Sequence, residues 1–237
     1  MAEQAFDDIG SQEVERRPAG RKITRPRHAA TLILIRRDGP RLRVLMGRRH
    51  GGHDFMPEKW VFPGGRVEAA DHKAQSASDL LPIVKRRLSS LARGGSPKAL
   101  AMAAVRETFE EAGLLLAKPV VGARANGPWR EFAERGVAPD LAKMDFVARA
   151  ITPPMAPKRF DARFFLADAR DLVSLEREAD CGELSEVAWL ELQEALTLEL
   201  PSVTRFVLKE LPRRLTEPGL PASFLRFTRG RQMLTQI

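Results

Sequence analysis

The 237-residue sequence contains no tyrosine and only one cysteine. A lone Cys181 cannot close an intrachain disulfide, which excludes a disulfide-stapled scaffold and fits a reducing compartment. Aromatic residues amount to 6%. No basic stretch is interleaved with aromatics, so a platform for stacking single-stranded bases is not expected. No apolar run reaches the length of a membrane span. The first ten residues, M-A-E-Q-A-F-D-D-I-G, are acidic and polar rather than leader-like. These absences together point to a cytoplasmic protein without a membrane segment.

Apolar residues make up 43%, enough for a full core. The formal charge is +8, with arginine far outnumbering lysine. That surplus suits a polyphosphate-bearing partner, whether small molecule or nucleic acid, but compositional bias alone can produce it.

Residues 1–25 are charged and without period, and read as a mobile arm. A-A-T-L-I-L-I (29–35) and L-R-V-L-M-G-R (42–48) read as strands of a hairpin around Asp38-Gly39-Pro40. W-V-F-P-G-G (60–65) reads as a strand entering a glycine turn. Leu80, Val84, Leu88 and Leu91 recur at helical spacing up to Gly94-Gly95. Ser96-Pro97 is an N-cap with proline at the first helical position. The helix it opens closes at Gly113, where a left-handed cap belongs. A short helix near 129–136, strands at 146–152, 162–167 and 186–190, and helices near 191–199 and 201–213 follow. Residues 216–237 read as a tail. The mixture of connections predicts an α/β fold with a mixed sheet.

The 97–113 helix carries the chemistry. At 100° per residue, Glu107, Glu110 and Glu111 fall within about 100° of one another. Met102, Val105, Phe109 and Ala112 lie opposite, and Arg106 borders the carboxylates. A solvated acidic face is the ordinary reading of such a run. Against it, like charges at i,i+3 and i,i+4 repel by a few tenths of a kcal/mol per pair, with no lysine to relieve them. A hard divalent cation would relieve them and bridge to substrate phosphates.

R-E-T-F-E-E-A-G-L (106–114) resembles the second half of the Nudix box, G-x5-E-x7-R-E-U-x-E-E-x-G-U with U apolar. G-R-V-E-A-A-D, beginning at Gly65 in F-P-G-G, resembles the first half. From Gly65 to Arg106 the chain is about 27 residues longer than the family spacing, so the box is split by an insertion, assigned to 72–98. The family's first-half glutamate falls on Asp71, and an apolar box position falls on Thr108. H-D-F-M-P-E-K-W-V-F-P-G-G (53–65), I-T-P-P (151–154), R-F-D-A-R-F-F-L (159–166) and G-E-L-S-E-V-A-W-L (182–190) resemble the branch of coenzyme A diphosphatases, which also carry an insertion in the box.

The resemblance implies an α/β/α sandwich with a mixed β-sheet over residues 26–215 and a helical insertion. It implies hydrolysis of a diphosphate bond in a nucleoside diphosphate derivative, with coenzyme A or acyl-CoA favoured and ADP-ribose, NADH or dinucleotide polyphosphates as alternatives. Mg²⁺ or Mn²⁺ would be held by Glu110, Glu111, Glu107 and the backbone at Gly65. Arg106 would hold the carboxylates by a bidentate pair. Glu107, or Glu183 or Glu186 in a later loop, would serve as base. Gly64, Arg48 and Arg49 would meet the phosphates. A small-molecule nucleotide is the expected partner, nucleic acid and membrane are not, and the Leu-rich helix of the insertion offers a homodimer contact or, more simply, packs on the sheet. A nucleotide-binding module without activity is the competing reading.

Overall fold

The run H-A-A-T-L-I-L-I-R alternates between two buried faces, because a strand with helices on both sides needs apolar side chains at every position. In the computed structural model it forms the centre of the sheet. The structure describes residues 4–5, 24–52, 56–89, 95–154, 156–177, 184–217, 219–228 and 231–237. Ala30, Leu32 and Leu34 join one buried cluster, and Ile33 and Ile35 join the other.

The strands are β1 (Gln4–Ala5), β2 (Arg27–Arg36), β3 (Arg43–Arg49), β4 (Trp60–Val61), β5 (Gly64–Arg66), β6 (Ala117–Pro119), β7 (Val137–Pro139), β8 (Asp145–Ile151), β9 (Phe160–Asp168), β10 (Leu184–Glu191), β11 (Ser223–Thr228) and β12 (Arg231–Gln236). The helices are α1 (Pro82–Ser89), α2 (Pro97–Ala112), α3 (Arg130–Glu134), α4 (Leu192–Ala195) and α5 (Ser202–Thr216). Among the described residues the main sheet runs β1-β12-β11-β8-β9-β2-β3-β10. It is mixed: β2 runs parallel to β9 from Arg27↔Phe160 to Ile35↔Asp168, and β3 runs antiparallel to β10. The hairpin strands β2 and β3 pair only at Ile35↔Val44 and Arg36↔Arg43. Beyond that they part, with β5 pairing with β2 and β4 with β3.

One face of the sheet is covered by α1, α2 and α3 and the other by α4 and α5. The inserted helix does pack into the core, through Leu80, Val84 and Leu88. It is shorter than its apolar period, and Leu91 lies outside the described residues. The insertion is also pinned by polar groups: Ser78 donates to Asp140 at 2.5 Å, Ala142 N–H donates to the Ser78 hydroxyl, and Ala77 N–H donates to the Pro139 carbonyl. No helix among the described residues is long and apolar enough to cross a membrane.

Three expectations need correction. F-P-G-G is not simply a turn, since Gly64 and Gly65 are strand residues paired with Thr31 and Ala30. The helix expected over 191–199 spans only Leu192–Ala195. Residues 216–237 include β11 and β12, with β11 parallel to β8 through Ser223↔Ala148 and Leu225↔Ala150. Leu225 is buried in the α5-side cluster. The tail expectation failed there because the apolar residues are few, and the pairing energy comes from a distant partner.

If the hairpin is part of the core, Leu225→Ala should cost about 2–5 kcal/mol in urea unfolding. A dispensable tail would lose less than about 0.5 kcal/mol.

Candidate active site

The helix that carries the carboxylates is fixed at both ends by its own sequence. The Ser96 hydroxyl accepts from Ala99 N–H, and Pro97 opens the helix where no N–H is needed. Gly113 adopts φ 68°, which a side chain would resist, and its N–H donates to the Phe109 carbonyl at 2.8 Å. Between these caps α2 is enclosed nearly all round, from Ala99 to Arg106 without a break. The acidic side is therefore not the solvated face of an amphipathic helix. Glu111 is only 3% exposed, Glu107 is partly covered and Glu110 is the most open of the three.

Arg106 is the hub. Its guanidinium is buried and forms a bidentate pair with Asp71, Nε to Oδ1 at 2.9 Å and Nη2 to Oδ2 at 3.1 Å. Nη1 lies 2.8 Å from Glu110 Oε2 and 3.0 Å from Glu107 Oε1. Nη2 also donates to the Arg66 carbonyl at 2.9 Å. The bidentate partner is thus Asp71 and not a glutamate of the helix, a correction to the expected geometry. Asp71 is fully buried and also accepts from Glu68 N–H at 2.7 Å, which closes the loop after β5. Its shorter side chain is accommodated by that loop, which brings its carboxylate to the arginine.

Charge is unbalanced here. One guanidinium faces Asp71, Glu107 and Glu110. Burial works against the cation, yet its hydrogen bonds to Asp71 and the fields of the three carboxylates push its pKa well above the usual arginine value. For Glu110, burial raises the pKa, Arg106 only partly offsets it, and Glu68 and Asp71 add repulsion. The Glu110 carboxylate is thus a poorly compensated anion. A cation-binding donor set is present in chemistry: hard oxygens with surplus negative charge. Among the described residues no three such side chains converge closely enough to hold an ion as they stand. The reason is visible, since Glu107 and Glu110 turn toward Arg106 and Glu111 toward the backbone of Gly64, at 2.9 Å from Oε2 to N.

The two glycines have different reasons to be glycine. A Cβ on Gly64 would lie 2.6 Å from the Ala30 carbonyl oxygen and 2.7 Å from Thr31 Cα. A Cβ on Gly65 would lie 2.4 Å from the Glu107 carboxylate. Antiparallel pairing settles which backbone faces the acids. Leu32 N–H donates to Pro63 and Val67 N–H donates to His28, so the alternation directs Gly65's own N–H and carbonyl at Ala30. Gly64 and Arg66 face the other way, toward Glu111 and Arg106. The carbonyl turned toward the carboxylates is therefore that of Gly64 rather than the expected Gly65.

The remaining sequence-predicted residues are only partly gathered. Arg48 pairs with Glu58 at 2.5 Å and lies directly across from Glu186 in the β3–β10 register. Along β10, Val187 and Trp189 pack with the α2-side core, whereas Ala188 and Leu190 pack with the α5 side. Alternation puts Glu186 on the α5 side, away from α2. Glu186 is thus not brought to the carboxylate cluster, as a later-loop base would require. Arg49 lies on the α2 side by the same alternation, and its Nε is buried without a hydrogen-bond partner among the described residues. Glu183 and Cys181 lie outside the described residues. Sequence reading missed Glu68, although it stands in G-R-V-E-A-A-D. It also missed Arg177, a lone loop arginine with no motif around it, which donates to the carbonyls of Ala112 and Val187.

No family model matches the chain. A crystal structure of a NUDIX hydrolase from Alicyclobacillus acidocaldarius superposes with a TM-score of 0.62 at 27% identity, covering 83% of this chain and 98% of that one. “Putative nudix hydrolase 7” of Caenorhabditis elegans is 30% identical over 184 residues, 72% of this chain and 53% of the relative. The chain belongs to the Nudix superfamily. “Acyl-coenzyme A diphosphatase NUDT19” of Gallus gallus is 38% identical over 98 residues, 32% of this chain and 26% of that relative. The chain thus spans about half the length of the first of these curated relatives and about a quarter of the second.

Two stability outcomes follow from the Nudix-box geometry. Asp71→Asn should cost about 3–5 kcal/mol in urea unfolding at neutral pH, because it removes the buried carboxylate that meets two nitrogens of the buried guanidinium. A loss below about 0.5 kcal/mol would show that Arg106 does not depend on it. For Glu110 the sign is opposite. Its folded pKa lies above the ordinary 4.5, so its stabilising protonated form prevails below that value and is lost as pH rises through the raised one. Glu110→Gln in EDTA should therefore raise Tm slightly at neutral pH, by less than about 4 °C given its exposure. The gain should vanish below pH 4.5; a gain that persists there would show that repulsion is not its cause.

Proposed function

We propose that this protein hydrolyses a diphosphate bond in a nucleoside diphosphate derivative, using a divalent cation. Coenzyme A or an acyl-CoA is the favoured substrate. The observation that carries the reading is the partly buried carboxylate group of α2, in surplus over its single arginine and set against a glycine backbone. The named activity of the chicken relative supports the coenzyme A choice, over the part of the chain that it matches.

When bound, Mg²⁺ or Mn²⁺ would supply charge neutralisation for the phosphates and acidify a water. Glu107, Glu110 and Glu111, with the Gly64 carbonyl, are the groups that would hold it. To hold it, Glu111 would have to leave the Gly64 N–H, and Glu107 and Glu110 would have to turn from Nη1 of Arg106, whose bonds to Asp71 and the Arg66 carbonyl do not involve them. In this reading Glu107, the partly covered member, would also serve as the base that takes a proton from the attacking water. Arg49 is the better placed of the two arginines to meet a phosphate from the α2 side, and Arg48 would have to leave Glu58. The assignment to the cytoplasm and a homodimer belong to the same reading.

The test is product analysis by mass spectrometry with coenzyme A, acetyl-CoA, ADP-ribose, NADH and diadenosine polyphosphates, each with Mg²⁺, Mn²⁺ or EDTA. Metal-dependent release of 3′,5′-ADP and a phosphopantetheine is expected. Cleavage of another compound would replace the substrate, and no cleavage at all would favour a nucleotide-binding module. Glu111→Gln and Glu110→Gln should each lower turnover by about a hundredfold or more, equivalent to several kcal/mol of lost charge stabilisation.

The glycines give a paired outcome. Gly65→Ala should fold normally and lose activity, because the new methyl meets only the movable end of Glu107. Gly64→Ala should lose stability as well, because its methyl meets the backbone of β2. Equal thermal unfolding of the two variants would contradict this division.

A further inference from the structure

We propose that Arg177 is a positioning residue for the α2 carboxylates: its guanidinium clamps the last turn of the helix to the edge strand β10. The effect on turnover rests on the hydrolase reading, whereas the clamp itself does not.

The last carbonyls of a helix have no intrahelical donor, and terminal turns open most easily. Glu110 and Glu111 stand in that last turn. Glu107, one turn earlier, is already confined between Arg106 and Gly65. A side chain from outside reaches the end of α2: Arg177 Nε donates to the Ala112 carbonyl at 3.1 Å. The same guanidinium donates through Nη1 to the Val187 carbonyl at 2.8 Å. Val187 sits in β10, paired with Gly47 of β3, so the second bond reaches the main sheet.

The segment leading to Arg177 lies along the helix exit, with Val173 N–H donating to the Leu115 carbonyl at 2.9 Å. Two donors on separate nitrogens of one rigid plane suit two carbonyls on different elements, which a lysine ammonium would not reproduce. A positive charge at the helix C-terminus is favourable in addition. Nothing in this arrangement touches the expected ligand oxygens directly. Its consequence is positional, and small displacements at a reacting centre cost heavily: about 1 Å corresponds to roughly a hundredfold in rate.

The experiment compares wild type with Arg177→Ala, Arg177→Gln and Arg177→Lys. Amide hydrogen exchange is followed without metal, Mn²⁺ binding by titration calorimetry, and kcat and KM on whichever compound wild type cleaves. Removal of the clamp should speed exchange selectively at residues 109–115. Mn²⁺ affinity should weaken, and kcat should fall, by about 10–100-fold each, with KM changing less than about threefold. Arg177→Lys should recover part of the loss by reaching one carbonyl. Unchanged exchange at 109–115, or an unchanged kcat beside faster exchange, would overturn the positioning role. So would accelerated exchange across α5 and β8, which would mark a general loss of structure. A wild type that cleaves nothing, with the local exchange and Mn²⁺ differences intact, would overturn the hydrolase reading and leave the clamp standing.

Discussion

A buried guanidinium organises this protein. Taking an arginine out of water costs several kcal/mol unless its donors are met and its charge is answered. Arg106 satisfies both conditions by drawing four groups from three pieces of chain together: Asp71 from the loop after β5, the Arg66 carbonyl from β5 itself, and Glu107 and Glu110 from its own helix. Two of those contacts have a second anchor: Asp71 is tied to Glu68 N–H and β5 is paired to β2, while Glu111 of the same helix reaches Gly64. The same meeting leaves the carboxylates in excess, and that excess is what gives the site an appetite for a cation.

The long detour between the two halves of the box does not loosen this meeting. Asp71 and Arg106 are 35 residues apart and still pair at 2.9 Å. Loop-closure cost rises only with the logarithm of loop length. The inserted segment also offsets its own ordering by burying Leu80, Val84 and Leu88 against the core that holds α2. It thereby shares a core with the helix that carries the acids and helps to fix it. Glu110 is the least covered of the three, and even there burial outweighs the arginine's effect on its proton affinity.

How much of this was legible in the chain depends on how local the cause is. The limits of α2 were readable because Ser96, Pro97 and Gly113 act within a few residues. The carboxylate set and its arginine were readable because their spacing is one face of one helix. The enclosure of that face was not, since Gly64, Gly65, Arg66 and Asp71 reach it from β5 and the turn that follows. The choice between Gly64 and Gly65 turns on the phase of pairing with β2, a single-residue matter that F-P-G-G does not encode. Glu186 failed as a neighbour of the cluster for the same reason, by strand parity. Arg177 left no trace because its two acceptors are backbone carbonyls, and a backbone carbonyl has no residue type.

The placing of β11 beside β8 has a consequence for synthesis. Ile151 closes β8 and Ser223 opens β11, a gap of 223 − 151 = 72 residues. At ordinary translation rates the outer edge of β8 waits on the order of 4–14 s for its partner. An open strand edge is a template for the wrong neighbour. During that interval β8 is not bare of protection: Arg149 is already cross-strand from Arg163 and within reach of Asp161, both of which have emerged by then. A charge held on a waiting strand discourages a foreign strand from docking. When Phe224 finally arrives, it lies under the Arg149 guanidinium, 4.7 Å from it, so the group that guards the nascent edge becomes the one that greets its proper occupant.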